Sequence, residues 1–316
     1  MKTYNYLGLT ISANGKFKEG LKNLKRKAQK ALFSLKAKLG SIPNLSITLS
    51  SSLFDKLIRP ILTYGCDVWG DEFSKKSPVE DVNVGFCRYI LGVSQKTPIM
   101  GLYSELGRYP LDVFIKQQSI RFYNRIQNSS NILLKEASSV NKDLKSKWFH
   151  EMTSLLNRIK QYSVINMHSK ITATQLIKIN SGIKQLFSSN WKIEIDNDKR
   201  GDSNEKNKLR KYRIIKSGIE LEPYLIKFHN IDLRTSLVKF RLSDHNLKIE
   251  TGRHNRIPLN NRICDMCNQG RIEDEFHFLM ECSSYTNMHN ILHDVAKNRI
   301  NAFYRHSKER TIQCSP

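Results

Sequence analysis

The stretch "FKEGLKNLKRKAQKALFSLKAKLG", Phe17 to Gly40, places Leu21, Leu24, Ala28, Ala31, Leu32, Leu35 and Leu39 at steps of three and four residues. That is the period of one helical face, because side chains three or four apart stack on the same side of an α-helix. Gly40 closes the pattern, glycine being the residue that most easily takes the backbone out of a helix. The opposite face is cationic: from Lys16 to Lys38 the chain carries nine Lys or Arg and a single acid, Glu19. An apolar stripe this long needs a cover, and the segments on either side supply candidates.

Before the helix, "YNYLGLTISANGKF" holds two alternating apolar and polar runs around Asn14-Gly15, a pair suited to the positive φ angles of a two-residue hairpin turn. After it, Leu49, Leu53, Leu57 and Ile61 keep helical spacing, and Pro60 with "YGCDVWG" predicts a bend into a buried aromatic turn anchored by Trp69. "SPVEDVNVGFCRYILG" is a self-contained helix with Ser77 as N-cap, Pro78 in the first turn, Glu80 completing a capping box and Gly92 as the stop. Its Val79, Val82, Phe86 and Ile90 share one face. "TPIMGLYSELG" repeats the Thr-Pro opening and Gly ending, and "LDVFIKQQSIRFYNRI" aligns Leu111, Phe114, Ile115, Phe122 and Ile126. Helical patterning continues through "KWFHEMTSLLNRIKQY" and "TQLIKINSGIKQLF". Asp196 to Lys208, "DNDKRGDSNEKNK", contains no apolar side chain and so cannot bury enough surface to offset its ordering entropy. The expected organisation is therefore mainly α with a short N-terminal β-hairpin: a hairpin and helical region over 1–130, a helical connector over 131–195, a polar linker over 196–212, and a small cysteine-containing helical module with a basic tail over 213–316.

The 316 residues carry 52 Lys+Arg against 29 Asp+Glu, a formal charge of +23. A chain this basic repels itself unless a polyanion meets it, which makes nucleic acid the expected partner. The longest apolar stretch, "LIRPILTYGCDVW", is interrupted by Arg59, Pro60 and Asp67, so no membrane span of about 20 apolar residues is expected. No secretory signal is visible at the N-terminus, and clustered cysteines fit a reducing compartment, so an intracellular, nuclear or cytoplasmic protein is expected.

Three of the six cysteines lie close together in "ICDMCNQGRIEDEFHFLMECSSY", Ile263 to Tyr285. Cys264 and Cys267 have knuckle spacing, His277 follows after nine residues and Cys282 after four more. Three sulfurs and one imidazole suit a tetrahedral Zn²⁺, and a set filled by protein ligands makes the ion structural, since a catalytic ion keeps an open position. The competing reading is two buried thiols beside a core histidine, and His289 or His293 could stand in as a ligand. Positions five apart on an α-helix point about 140° away from each other, so the helix must end before Cys282 if that residue is to share a metal with His277. "IEDEFHFLMEC" offers Ile272, Phe276 and Leu279 to a small core, and Glu273, Asp274 and Glu275 suit a helix N-terminus.

The segment "RLSDHNLKIETGRHNRIPLNNRICDMCNQGRIEDEFHFLMECSSY" resembles the cysteine/histidine zinc-binding segment at the C-terminal end of non-LTR (LINE-type) retrotransposon reverse transcriptases. The matching features are Arg241 with Leu242, "ETGR" at Glu250 to Arg253, Arg262, "EDEFHFL" and Tyr285. Independently, "YNYLGLTI", "NGKF", "LFDKLIRPILTYGCDVWG", "RYILGV" and "TPIMGLYSELGRYPLDVFI" resemble the region of those polymerases that begins after the palm's catalytic carboxylates and runs through the thumb. Residues 131 to 225 carry little of the likeness. The resemblance implies a thumb-like helical domain followed by a small helical zinc-binding domain. It also implies a primer-strand hairpin at Tyr6, Leu7 and Gly8, and phosphate contacts by Lys22, Lys25, Arg26, Lys27, Lys30, Arg253 and Arg262. The family's paired Mg²⁺-binding aspartates have no counterpart here, since the sequence has no Asp-Asp pair. The expectation is a C-terminal part of an RNA-directed DNA polymerase that binds element RNA or a template–primer and a structural Zn²⁺, without catalysis of its own; the alternative is an independent zinc-containing RNA/DNA-binding adaptor.

Overall fold

The computed structural model describes residues 3–42, 46–70, 77–161, 170–197 and 208–298. Among the described residues the chain is mainly helical with a short two-stranded antiparallel hairpin at its N-terminal end, and it divides into two compact units, Met1–Leu242 and Ser243–Pro316.

The hairpin turns at a different place from the one expected. Strands β1 (Thr3–Tyr6) and β2 (Leu9–Ser12) pair with Tyr6 opposite Leu9, so the two-residue turn is Leu7-Gly8. Both turn residues have positive φ, +46° and +83°, as a two-residue turn matched to strand twist requires. Leucine is uncommon in this region, and here the Tyr64 hydroxyl donates to the Leu7 carbonyl. Asn14-Gly15 forms the next turn instead: Gly15, at φ +73°, donates its N–H to Ser12 at 2.9 Å, and the Asn14 side chain accepts from the N–H of Lys16. Two glycine turns lie seven residues apart, and only the first allows β2 to bury Leu9.

Helix α1 (Lys18–Gly40) buries Leu21, Leu24, Ala28, Leu32, Leu35 and Leu39, with Ala31 half-buried beside them. Gly20 in its first turn is needed for close approach: a Cβ there would lie 2.5 Å from the Thr10 carbonyl oxygen of β2. Helix α2 (Ile47–Leu57), capped by the Ser46 side chain, buries Ile47, Ser50 and Phe54, whereas Leu49 and Leu57 of the expected stripe are 49% and 53% exposed. The aromatic position wins because Phe54 stacks on Phe86 with ring centroids 4.2 Å apart, and the Arg108 guanidinium lies over both rings while pairing with Asp55 at 2.7 Å. Pro60 begins a separate turn, Arg59–Leu62, and Trp69 is fully buried with its indole N–H on the Tyr64 carbonyl. These side chains form one core with Val79, Val82, Leu111 and Ile115.

Helices α3 (Pro78–Leu91), α4 (Ile99–Glu105) and α5 (Leu111–Gln127) meet at Glu80. Rather than closing a capping box with Ser77, its buried carboxylate accepts from the Tyr103 hydroxyl, from Asn83 at 2.8 Å and from the N–H of Leu111 at 2.9 Å. Burial pushes this carboxyl above its usual range despite those donors. On α5 the buried side chains are Leu111, Val113, Ile115, Ile120 and Tyr123, while Phe114 and Phe122 are half-buried under Arg59 and Arg125. Helices α6 (Ile132–Asp143), α7 (Lys147–Arg158) and α8 (Ala173–Asp196) follow; α6 buries no residue, and α8 starts with a complete capping box between Thr172 and Gln175.

The expected boundary at 196–212 is not where the units part. Residues 198–207 lie outside the described residues, but Leu209, Tyr212, Ile219, Leu225, Val238 and Leu242 pack with Leu91, Leu102, Trp191 and Ile195 in a single core. Helix α9 (Ile231–Arg241) thus belongs to the first unit. A buried ionic group fastens it. Arg241 pairs with Glu105 at 2.9 Å and Glu222 at 3.1 Å, the Tyr224 hydroxyl donates to Glu105, and Lys216 pairs with Glu222 at 2.5 Å. Among the described residues no helix is long and apolar enough to cross a membrane.

Because Glu105 is fully buried, Glu105→Ala takes the nearest counter-charge from Arg241, which keeps Glu222, and strands the Tyr224 hydroxyl, so a loss of about 1–3 kcal/mol from the unsatisfied donor is expected by urea unfolding. Glu80 sets a pH trend. Between the ordinary carboxylate pKa and its raised folded value the folded chain holds the extra proton, so its contribution to stability is full at lower pH and is lost as pH rises. Glu80→Gln is expected to flatten that part of the stability profile.

Candidate metal centre

The second unit is built around a short hairpin and the helix beneath it. Helix α10 (Lys248–His254) donates the N–H of Ile249 to the Glu273 carbonyl at 3.1 Å and that of Lys248 to the Glu273 carboxylate at 2.8 Å. Ile263 and Ile272 form an antiparallel bridge, and the Cys264 N–H reaches the Arg271 carbonyl at 2.9 Å. Arg262 lies under this hairpin, 2% exposed, donating to the carbonyls of Ile257 at 2.9 Å and Ile249 at 3.3 Å. Gly252 makes room for it, since a Cβ there would stand 2.6 Å from the Arg262 Cγ.

The hairpin brings Cys264 and Cys267 to His277 and Cys282. All four are buried, and their ligand atoms lie within 4.8 Å of one another, so the cluster could hold a metal ion. Two of the edges are 3.9 Å between the sulfurs of Cys264 and Cys282 and 3.4 Å between the Cys267 sulfur and His277 Nε2. A tetrahedral ion with metal–sulfur bonds of about 2.3 Å needs edges of about 3.8 Å between sulfurs, slightly less to nitrogen. These two edges fit that geometry, and the 4.8 Å bound on the whole set means the widest pair must close slightly on an ion. Burial pushes the Cys264 thiol up to about 11, although the backbone N–H groups of Met266 and Cys267 pull the other way. A bound cation must displace those thiol protons.

His277 and Cys282 share the site because the chain between them is a π-helical turn, His277–Glu281, closed by the Cys282 N–H on the His277 carbonyl at 2.8 Å. The wider i to i+5 turn brings to one side two positions that an α-helix would hold about 140° apart. The Asp274 side chain starts the turn by accepting the His277 N–H at 2.8 Å. The other two acids are also structural: Glu275 is buried on Ser243 and His245, and Glu273 holds Lys248. Phe276, expected in the small core, is 50% exposed; Tyr285 packs on the cysteines instead, edge-on to Phe278 at 5.2 Å. His289 is engaged with the Phe278 carbonyl at 2.9 Å and is not one of the four. One partner went unnoticed in the sequence. With Nε2 facing the sulfurs, the buried Nδ1 of His277 has no hydrogen-bond partner and lies 3.6 Å from the Glu281 carboxylate. That places a carboxylate behind the ring, where it can orient a ligating imidazole; the i, i+4 spacing was the available clue.

The expected nucleic-acid contacts divide into two groups. In the second unit Arg262 is buried on backbone carbonyls, and half-buried Arg253 turns its guanidinium onto buried Glu250 at 2.6 Å, so both arginines already have partners within the fold. In the first unit the cations of α1 lie on its outer side. Lys22 pairs with Glu19 at 2.8 Å, Lys25 with Asp81 at 2.7 Å, and Arg26 donates to Asn23. Lys27 and Lys30 are exposed, with no ion pair among the described residues. Tyr6 and Leu7 at the hairpin tip are 58% and 75% exposed, and Gly8 lies against the Tyr64 ring. No protein-family model matches the chain, and no curated protein or solved structure matches it.

Metal binding is expected at one equivalent per chain by elemental analysis, weakening as pH falls because the thiols must lose their protons. Cys267→Ser is expected to abolish it. Glu281→Gln, which keeps the fold and removes the charge behind the ring, is expected to weaken it about 10- to 100-fold in a competition with a chromophoric chelator.

Proposed function

We propose that this chain is a nucleic-acid-binding protein carrying a structural Zn²⁺, related to the part of non-LTR retrotransposon reverse transcriptases that follows the palm. The observation that carries the binding reading is the outer side of α1. Its leucines are buried in the core, so the helix cannot rotate, and a net positive row that includes exposed Lys27 and Lys30 is held toward solvent. Phosphates meeting such a row release condensed counterions, which supplies sequence-independent affinity. The exposed hairpin tip at Tyr6, Leu7 and Gly8 belongs to the same unit and, by the resemblance, is the element near a primer strand.

Zinc is the ion the donor set favours. Three thiolates and an imidazole are soft to borderline ligands, and hard cations that prefer oxygen are poorly served by them. With four protein ligands no position is left for substrate, so the ion acts by tying the Ile263–Ile272 hairpin to the turn that carries His277 and Cys282. In this reading the second unit folds with its metal, and the first presents the cationic helix.

The test is a salt titration of binding to a labelled oligonucleotide. If about six phosphates are neutralised, affinity is expected to fall about a thousandfold between 50 and 200 mM salt. Lys27→Ala with Lys30→Ala is expected to reduce the slope of log affinity against log salt by about 2. A flat response in the full chain would remove the proposal.

A further inference from the structure

The cationic side of α1 carries one residue that electrostatics does not explain. Phe33 is 76% exposed, the most exposed aromatic side chain among the described residues. It stands three residues after Lys30, four after Gln29, seven after Arg26 and eleven after Lys22, which puts it in line with them along one face. Those four polar residues are all solvent-facing or exposed. Lys36, one turn further on, is turned aside over the Tyr89 ring at 4.5 Å from its centre, which leaves the Phe33 ring uncovered. The buried stripe of the same helix lies on the opposite side and has no use for this ring.

We propose that Phe33 is a stacking platform for an unpaired base, so that α1 takes a single-stranded segment of nucleic acid rather than a duplex alone. The proposal rests on the nucleic-acid reading above and deepens it. A backbone following Lys22, Arg26 and Lys30 is in contact over about 12 Å of helix, and the next position on that line is the ring. Positive groups that track phosphates, followed by an aromatic face that accepts any base, are the two parts of sequence-tolerant single-strand binding. An apolar protein partner is a poorer match, because the ring is ringed by cations and amides and no second large apolar side chain shares its line. In duplex nucleic acid the bases already stack on each other and offer Phe33 no free face.

The experiment compares the full chain with Phe33→Ala, Phe33→Leu and Phe33→Trp, using fluorescence anisotropy with a 20-nucleotide oligo(dT) and with a 20-base-pair duplex. Phe33→Ala is expected to weaken single-strand binding about 5- to 150-fold, to leave duplex binding within about twofold, and to leave the salt slope unchanged, since no charge is removed. Phe33→Trp is expected to retain binding, and Phe33→Leu, which keeps apolar area without a π face, to lose most of it. The site is exposed, so the substitutions leave the core of the helix untouched, and circular dichroism of each variant checks that the fold is kept. Wild-type affinity in Phe33→Ala with the salt response intact overturns the platform and leaves the proposed function standing. Full retention by Phe33→Leu, or equal losses on both probes, also overturns it. Salt-insensitive binding by the unsubstituted chain overturns both readings at once.

Discussion

The leucine stripe of α1 is the constraint from which the first unit is built. Six buried apolar side chains on one helix face fix its rotation, and three consequences follow. β2 must lie against the first turn, where only Gly20 leaves room for the Thr10 carbonyl. Phe54, Trp69 and Phe86 fill the space on the other side. The lysines, placed opposite the leucines in the sequence, are left on the surface. Full burial of such side chains is worth about 1.5–3 kcal/mol each, whereas an exposed ion pair such as Lys22–Glu19 contributes about 0–1 kcal/mol. Packing therefore decides where the charges go, and the charges do not decide the packing.

The two units rely on different glue. In the first, apolar cores are supplemented by buried polar junctions that draw partners from several elements: Glu80 joins α3, α4 and α5, and Glu105 joins α4 to α9 and the turns before it. In the second, the apolar cluster at the cysteines consists of three sulfurs and Tyr285. A core that small cannot offset chain entropy alone. Ion binding and backbone hydrogen bonds from Arg262 and Glu273 take over that role in the metal-bound reading.

Much of this was legible in the sequence where a pattern repeats. The α1 face, the helix from Pro78 to Gly92 and the four cysteine/histidine positions each carry several concordant signals, and the structure brings the last four within reach of a single ion. What was not legible turned on competition between comparable local options. Leu7-Gly8 and Asn14-Gly15 both suit a hairpin turn, and burial of Leu9 selects the first. Leu49, Leu53 and Leu57 have helical spacing, but with Phe54 stacked on Phe86 only Leu53 of that line reaches the core, and Leu49 and Leu57 are left exposed. Glu80 has capping-box spacing and is drawn into the core by Tyr103, twenty-three residues away. The extension of the first unit to Leu242 follows from apolar residues beyond the polar stretch, whose partners are far away in sequence. Arg253 and Arg262 show the same limit: residue type suggests a phosphate contact, but only tertiary neighbours reveal that the guanidinium is already engaged.

The turn from His277 to Glu281 has an implication for the spacing of two ligands along the chain. An ordinary helix brings residues four apart to one side, so a histidine and a cysteine with three residues between them would meet a common ion with no widening of the coil. Here there are four residues between them, and the i to i+5 bond absorbs the extra one. The widened coil thus lets a four-residue spacing serve a common ion as a three-residue spacing would on an ordinary helix, with Met280 inside the turn about half exposed.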